Sequence, residues 1–257
     1  MATEEAGTMS IEQVFPLVLV AMFVGFIAIE ALRPARPLPK VAGWRLKGVL
    51  AFLVTGAVSA ASPLLYIDFI RAHRLADREW LGTLGGAAVA LLFSELVGYW
   101  YHRLSHGTPL WRIAHQLHHS AERVDIFGSA YFHPLDIALG GFLGALVNTL
   151  VLGVSAEAAA LAALAGIFVS MFQHANIKTP RWLGYLIQRP ESHSVHHQRG
   201  RHAMNYSRLP IFDMLFGTFE NPEYFQSESG FYPGASRRVL AMLGGVDVSA
   251  DRSATRD

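Results

Sequence analysis

Residues 95–120 read ELVGYWYHRLSHGTPLWRIAHQLHHS, and this stretch decides the fold because it joins the end of an apolar segment to two histidine motifs. The first motif is His102-Arg-Leu-Ser-His106, and the second is His115-Gln-Leu-His118-His119. Residues three or four apart lie on one face of a helix, so each motif directs its imidazoles to one side. The stretch therefore predicts helices that leave an apolar environment and carry a cluster of histidines.

A third motif, His193-Ser-Val-His196-His197, follows later in the chain, and 11 of the 12 histidines lie between His102 and His202. At this histidine frequency, one His-x-x-His-His motif is expected about 0.03 times by chance in a sequence of this length. This chain contains two such motifs. Because packing does not explain the clustering, we interpret the motif histidines as metal ligands.

The composition indicates a membrane protein. Of the 257 residues, 52% are apolar and 16% are charged, whereas ordinary soluble domains have about 25% charged residues. The chain contains no cysteine, which excludes a disulfide scaffold, an iron–sulfur cluster and a thiolate zinc finger. The formal charge of +1 lacks the basic excess of nucleic-acid-binding proteins, so no nucleic-acid partner is expected.

Apolar segments long enough to cross a bilayer, which takes about 20 residues, occur five times, at 14–32, 48–70, 80–101, 134–154 and 158–175. The sequence therefore predicts an all-α, multi-pass membrane protein with a helical cap that carries the histidines. We expect one domain over residues 1–257, with a disordered tail at 247–257. The residues before the first segment include glutamates but no lysine or arginine, unlike the start of a secretory signal peptide.

The distribution of basic residues predicts the orientation. Residues 33–47 contain five lysines and arginines, and such residues favour the cytoplasmic side. With this loop inside, the third segment delivers His102 to the cytoplasmic face. We expect an integral protein of the bacterial cytoplasmic membrane or of the endoplasmic reticulum. Aromatic residues near the segment ends are expected to anchor the protein at the membrane interface; they are Trp44, Trp80, Tyr99, Trp100 and Tyr101.

The ligand chemistry favours two metal ions. Imidazole suits iron, copper, nickel and zinc, and a catalytic zinc ion takes only three protein ligands. The eight motif histidines exceed the needs of one such ion. His-Glu-x-x-His, the usual zinc-protease pattern, is absent from the sequence. Iron with open coordination positions activates dioxygen and oxidises unactivated carbon, and lipid is the substrate that a site at a membrane surface would meet.

Further segments surround the histidine motifs: Trp111 to Ser120, Phe132-His133-Pro134-Leu135, Gln173-His174-Ala175-Asn176, and Phe212-Asp213-Met214-Leu215-Phe216-Gly217-Thr218-Phe219. Over residues 95–220, the combination resembles the fatty acid hydroxylase/sterol desaturase superfamily. The resemblance implies a membrane di-iron oxygenase that uses dioxygen and external electrons. Members hydroxylate or desaturate fatty acyl chains, sphingoid bases and sterols, or cleave ether lipids.

The resemblance also implies the ligand set. The eight matching ligands are His102, His106, His115, His118, His119, His193, His196 and His197. Some members have a further His-x-x-x-His pair, whereas this chain has His174 followed by Lys178. His133 and His174 lie at the same predicted membrane depth and are expected to complete ten ligands. Zinc is expected as a substitute for iron in purified protein, because the affinity order favours it.

Four polar residues are expected to support the ligands. Glu95 lies seven residues before His102, on the same helix face, and a carboxylate within a membrane span is a functional candidate by default. It is expected to accept a ring N–H or to form a polar contact between helices. Asp136 and Asp213 are expected to orient ligands in the same way, and Asn176 is expected to line the site.

The sequence lacks a flavin or dinucleotide fingerprint, so the electrons are expected from a separate ferredoxin, or from a cytochrome with its reductase. Two alternatives to an oxygenase stay open. A non-catalytic membrane metal transporter or store would place ionisable residues near the middle of its spans, whereas here they gather at one end. A zinc-dependent lipid hydrolase would act without oxygen.

Overall fold

The computed structural model describes residues 11–107 and 109–250, which form helices and turns with an isolated bridge between Gln198 and Ser229. The α-helices are α1 (Ile11–Leu32), α2 (Trp44–Ala61), α3 (Ile67–Ala72), α4 (Gly82–Ser105), α5 (Gln116–His119), α6 (Pro134–Ala145), α7 (Ala156–His174), α8 (Pro190–His196), α9 (Pro210–Leu215) and α10 (Val239–Leu243).

Shorter helical turns connect or extend these helices. Two π-helical segments, Trp111–His115 and Leu146–Leu152, lead into α5 and continue α6. The remaining turns are 3₁₀-helical, at Ser62–Leu65, Glu79–Leu81, Ile126–Gly128, Arg181–Tyr185 and Ala235–Arg237.

The five apolar spans predicted from the sequence are confirmed as helices long and apolar enough to cross a membrane. They comprise Gln13–Leu32, Trp44–Leu65, Glu79–Ser105, Pro134–Leu152 and Ala156–His174. The second span ends earlier than predicted, because Pro63 lies in the 3₁₀ turn that follows α2 and proline cannot continue an α-helix. The fifth begins earlier, because the Ser155 hydroxyl accepts the Ala158 N–H (3.2 Å) as its N-cap.

The helices alternate in direction, so the ends that lead to the histidine motifs lie together. The C-terminal ends of α1 and α7 are joined by a hydrogen bond from the Ala35 N–H to the Asn176 carbonyl (2.8 Å). At the opposite end, the Arg78 N–H donates to the Gly153 carbonyl (2.9 Å) beside the turn between α6 and α7. Residues 33–47 therefore lie at the same end as the histidine motifs, as the sequence predicted.

Helices α4 and α7 pack closely because small residues face each other. Their contact contains Ala87 and Ala90 of α4 and Ala158 and Ala162 of α7, with the end of the α6 extension alongside. A Cβ atom at Gly86 would lie 2.8 Å from the Ala158 Cβ. Glycine at this position therefore sets the distance between the two helices.

The outer faces of the long helices present large apolar side chains. Leu53 is 59% exposed and Leu84 is 79% exposed. Such surfaces are typical of helices that contact lipid, because an extended apolar surface is unfavourable in water. The exposed apolar band and the buried histidines therefore belong to different parts of one molecule.

The cap consists of the segments that follow α4 and α7, residues 106–107, 109–133 and 175–250. Within it, the C-terminal segment packs over the second histidine motif. Val248 is fully buried, and its N–H donates to the Gln116 side-chain oxygen (3.0 Å). Val248 is thus part of the core, whereas Ala250, two residues later in the expected tail, is exposed. Residues 251–257 of that predicted tail lie outside the described residues.

The expected aromatic anchors divide into exposed and buried side chains. Trp80 and Trp100 are exposed, whereas Trp44 and Tyr99 are buried. The Trp44 indole N–H donates to the Asp125 carboxylate (2.8 Å), which attaches the start of α2 to the cap. Trp44 and Tyr99 therefore contribute to the protein core rather than to an outer interface.

We expect Gly86→Ala to reduce stability by about 1–3 kcal/mol, because overpacking a close contact forces backbone shifts. Gly85→Ala is the matched control, because its added Cβ would lie 3.6 Å from the nearest atom, the Leu81 Cβ. The control should be neutral or slightly stabilising, since alanine is the better helix former. Thermal unfolding of both variants in detergent tests this expectation, and equal effects would contradict it.

Candidate metal centre

Nine histidines converge in two adjacent groups, in which the potential ligand atoms lie within 4.8 Å of one another. The five-histidine group consists of His102, His106, His115, His119 and His196. The four-histidine group consists of His118, His174, His193 and His197. The convergence of the eight motif histidines agrees with the sequence prediction, and His174 joins them from the last turn of α7.

The second and third motifs each contribute to both groups. His115 and His119 face the five-histidine group, while His118 faces the four-histidine group. In the third motif, His193 and His197 face the four-histidine group and His196 the other. Residues four apart share a helix face, and the intervening histidine is displaced around the axis. The His-x-x-His-His spacing therefore lets one short helix serve two neighbouring ions.

The distances in the four-histidine group fit a shared ion. The Nε2 atom of His174 lies 3.2 Å from that of His118 and 3.1 Å from that of His193. The Nε2 atoms of His193 and His197 are also 3.1 Å apart. Two imidazole nitrogens bound at about 2.1 Å to one ion lie about 3.0 Å apart at right angles and about 3.4 Å apart in a tetrahedron. These residues therefore fit a transition metal.

Three histidine rings of the two groups donate a hydrogen bond from Nδ1 to a backbone carbonyl. The Nδ1–H of His102 donates to the Tyr206 carbonyl (2.6 Å), and that of His174 donates to the Ser170 carbonyl (2.7 Å). The Nδ1–H of His196 donates to the Met204 carbonyl (2.7 Å). A ring that donates through Nδ1 keeps the lone pair of Nε2 for a metal. In the five-histidine group, buried Nε2 atoms without hydrogen-bond partners belong to His106 and His196.

Asp136 contacts a histidine of the five-histidine group. Its carboxylate accepts the Nδ1–H of His115 (2.8 Å), and both side chains are buried. The Tyr101 hydroxyl donates to the other carboxylate oxygen. Tyr101 was expected only as an interface anchor, and its function in holding Asp136 depends on a contact between helices α4 and α6 that the sequence does not reveal.

Burial affects the protonation of the ligand rings. Burial, with a further contribution from neighbouring imidazoles, lowers the pKa of several rings well below the usual value of 6.5; these are His106, His118, His119, His193, His196 and His197. Rings with such pKa values are neutral at pH 7. Neutral imidazole is the form that binds a metal ion.

His133 lies outside both groups, in contrast to the expectation that it would be a ligand. Its Nδ1 accepts the Leu135 N–H (3.0 Å), so the ring caps the start of α6. Its Nε2 lies 3.3 Å from the Leu243 carbonyl. Because both ring nitrogens face the backbone, the structure brings together nine of the expected ten histidines.

Glu95 contacts the segment that follows Tyr206. Its buried carboxylate pairs with Arg208 and accepts the Ser207 hydroxyl (3.3 Å) and the Arg208 N–H (3.2 Å). It therefore holds the chain that follows Tyr206. The Tyr206 carbonyl accepts a hydrogen bond from the Nδ1–H of His102. Glu95 does not contact a ligand ring directly, because α4 directs it toward the 207–208 segment.

Asp213 supports the same segment. Its carboxylate accepts the N–H groups of Tyr206 (2.7 Å) and Ser207 (2.9 Å) and the Thr218 hydroxyl (2.8 Å). Burial raises the pKa of Asp213 to about 6 despite these hydrogen bonds. Asp213 therefore holds the backbone of Tyr206, whose carbonyl accepts the Nδ1–H of His102.

Asn176 does not line either group. Its side-chain amide donates to the Arg36 carbonyl (2.8 Å), and its N–H donates to the Glu30 carboxylate (2.7 Å). It joins the C-terminal end of α7 to α1 and the loop that follows. Lys178, which takes the place of a second histidine after His174, is exposed, with its ammonium group 6.0 Å from the centre of the Tyr224 ring.

A buried ion pair holds the third motif and was missed in the sequence. Arg189 and Glu191 are each 1% exposed and pair at 3.0 Å. Glu191 also accepts the Thr179 N–H (2.8 Å), and Arg189 donates to the Asn221 side chain (2.7 Å). The pair fixes the first turn of α8, which carries His193. The sequence signal was a charged pair within the Arg-Pro-Glu stretch directly before the motif.

His202 lies beside the five-histidine group. Its Nδ1 lies 3.1 Å from the Nδ1 of His119. Burial lowers the pKa of His202 to about 4. The ring therefore supports the five-histidine group from the cap side.

Comparison with known proteins gives a consistent result. The model of the fatty acid hydroxylase family matches residues 87–218. The chain is 31% identical over 139 residues to ornithine lipid hydroxylase OlsE of Rhizobium tropici, covering 52% of this chain and 41% of that protein. It is 29% identical to Delta(7)-sterol-C5(6)-desaturase of Nicotiana tabacum, over 58% of this chain and 55% of that protein.

Alkylglycerol monooxygenase of Homo sapiens is 29% identical over 200 residues, which cover 70% of this chain and 44% of that enzyme. The matches thus cover about two fifths to just over half of the length of these three relatives. No solved structure matches the chain.

We expect metal affinity to change little between pH 8 and pH 6. Five ligands with lowered pKa values, His118, His119, His193, His196 and His197, stay neutral through this range, so protons do not compete with the ion. Affinity should fall only at lower pH, where these rings become protonated. In the four-histidine group, three exposed rings with a pKa of 6.5 in place of His118, His193 and His197 would together lower the affinity about sixtyfold over the same range. Titration of metal-free protein with Co²⁺ at both pH values measures the difference, and a loss of that size would contradict the expectation.

Proposed function

This chain belongs to the fatty acid hydroxylase family, and on that premise we propose that it is a membrane-bound di-iron oxygenase. It uses dioxygen and external electrons to hydroxylate or desaturate a lipid C–H bond. The observation that carries the proposal is the convergence of nine histidines in two adjacent groups. One ion does not use nine imidazoles, and imidazole is a suitable ligand for iron.

The protein holds and shields the centre. Iron bound by the two groups supplies dioxygen activation and the oxidation of an unactivated carbon. His102, His174 and His196 stay in one tautomer because backbone carbonyls accept their Nδ1–H groups. Seven of the nine rings are buried, which limits the access of water to the site.

A cavity near the histidine groups is consistent with the proposed lipid substrate. It has a volume of about 280 Å³ between α4 and α7, and its lining includes Leu91, Phe168 and Val169 together with the Glu95–Arg208 pair. Val169 lies one helical turn before Gln173, and Glu95 lies two turns before His102. At 1.5 Å per residue, these separations are about 6 and 10 Å along the helix axes. An acyl chain in this cavity would extend toward the histidine groups.

The relatives support a lipid substrate and leave its type open. Their names describe hydroxylation of an ornithine lipid, desaturation of a sterol and mono-oxygenation of an alkylglycerol. All three reactions oxidise a lipid. We propose the same general chemistry for this chain.

The proposed orientation places the histidine groups at the cytoplasmic face of a bacterial cytoplasmic membrane or of the endoplasmic reticulum. Arg33, Lys40 and Arg45 are exposed at this end of the molecule, and basic residues in short loops favour the cytoplasm. A separate electron donor, a ferredoxin or a cytochrome with its reductase, would approach the centre from this side.

The transporter and hydrolase alternatives have less support. A transport path requires ionisable residues along the spans, whereas nine histidines of this chain gather at one end of them. A hydrolase would need neither dioxygen nor reductant. Oxygen uptake that depends on reductant and lipid would distinguish the proposed oxygenase from both.

The double variant His196→Ala, His197→Ala should abolish lipid oxidation, because it removes one ligand from each group. Untargeted mass spectrometry compares the cellular lipids with those of the native protein. A gain of one oxygen atom in the native sample indicates hydroxylation, and a loss of two hydrogen atoms indicates desaturation. His73→Ala is the control, because this ring is exposed and both its hydrogen bond and its ring contact are with Phe69. Identical lipids in the native and double-variant samples would contradict the proposal.

Ala165→Phe should raise KM for the lipid substrate, because Ala165 lines the cavity between α4 and α7. Each methylene group of the lipid that the phenylalanine displaces from the cavity would cost about 0.8 kcal/mol of binding free energy, or about fourfold in KM. Ala163→Phe on the exposed face of α7 is the matched control. Metal content should be unchanged in both variants, and an equal KM in both would contradict the position proposed for the substrate.

A further inference from the structure

The two histidine groups differ in their number of donors. One group contains five imidazoles and the other contains four. Gln173 lies next to the smaller group, directly before His174 in the last turn of α7. It is only 6% exposed, which is unusual for a side-chain amide unless its polar atoms have partners.

The Gln173 side-chain oxygen is a buried acceptor without a hydrogen-bond partner. The side-chain nitrogen lies 3.4 Å from the Nε2 of His193. That same Nε2 lies 3.1 Å from the Nε2 atoms of both His174 and His197. The end of the Gln173 amide therefore lies beside the converging nitrogens of the four-histidine group.

The oxygen and nitrogen of an amide exchange positions when the group turns by 180°, and they are assigned from their surroundings. With the oxygen toward His193, the separation of 3.4 Å is the distance between two donors about 2.1 Å from a tetrahedral ion. In this orientation the carbonyl oxygen faces the converging nitrogens, and the side-chain nitrogen takes the buried position that the oxygen holds in the other orientation.

We propose that the side-chain carbonyl oxygen of Gln173 is a ligand of the ion in the four-histidine group. The inference rests on the proposed metal centre and adds a donor that the histidine motifs do not contain. His202 contacts His119 of the five-histidine group, so it does not supply the additional donor to the four-histidine group. The two ions would then each have five protein donors.

The proposal is tested by metal binding in the full chain. Gln173→Leu removes the oxygen at similar volume, and Gln173→Glu keeps an oxygen at the same position. His174→Ala removes an assigned member of the same group and supplies the reference for loss of that ion. Co²⁺ is titrated into each metal-free protein, and stoichiometry, affinity and the visible absorption spectrum are recorded.

We expect Gln173→Leu to lower the affinity for the second Co²⁺ ion at least tenfold, a loss typical of disturbed metal sites. Its absorption spectrum should be similar to that of His174→Ala. Gln173→Glu should retain both ions. Retention of the first ion with unchanged affinity shows that each variant is folded, because the five-histidine group is intact. Two ions bound to Gln173→Leu with native affinity and spectrum would overturn the proposal, as would loss of the second ion in Gln173→Glu.

The same titration separates this inference from the proposed function. If the native chain binds fewer than two ions, the proposed dimetal centre fails. If the native chain and Gln173→Leu both bind two ions in the same way, only the function of Gln173 fails.

Discussion

The structure depends on the burial of many imidazoles at one place. A buried polar ring requires partners for both of its nitrogens, and seven buried and two half-buried rings here direct ligand atoms into two groups. His102, His174 and His196 meet this requirement by donating Nδ1–H to backbone carbonyls, which leaves Nε2 for the group. The backbone around the site must therefore place carbonyl oxygens at fixed positions behind the rings. The shape of the cap follows from that requirement as much as from the packing of apolar side chains.

Buried charged residues hold this backbone in position. The Glu95–Arg208 pair and the Asp213 carboxylate both fix the segment whose Tyr206 carbonyl accepts from His102. The Arg189–Glu191 pair fixes the start of α8. Removing one member of a buried ion pair typically costs about 3–5 kcal/mol, because the other charge is left without a partner. These residues lie one step behind the ligands, and they connect the membrane helices to the cap.

The sequence predicted some features well because they depend on local pattern. Apolar length identified the five spans, and the spacing of three or four residues identified the motif histidines as a cluster. The positions of other residues depend on distant contacts, which local pattern does not determine. His133 lies at the expected end of its span but turns both nitrogens to the backbone. Asn176 joins α7 to α1 and its following loop, and Val248 is buried against α5 although the sequence around it is unremarkable.

The sequence by itself determined the donor type, the helical presentation of the histidines and the apolar helices below them, because each depends on residue identity and short-range spacing. Only the tertiary structure decided how the rings divide into groups of five and four, which carboxylates contact ligands, and that Gln173 lies beside the smaller group. The physical reason is that spacing sets the direction of a side chain relative to its own helix. The packing of helices from distant parts of the chain sets where those directions meet.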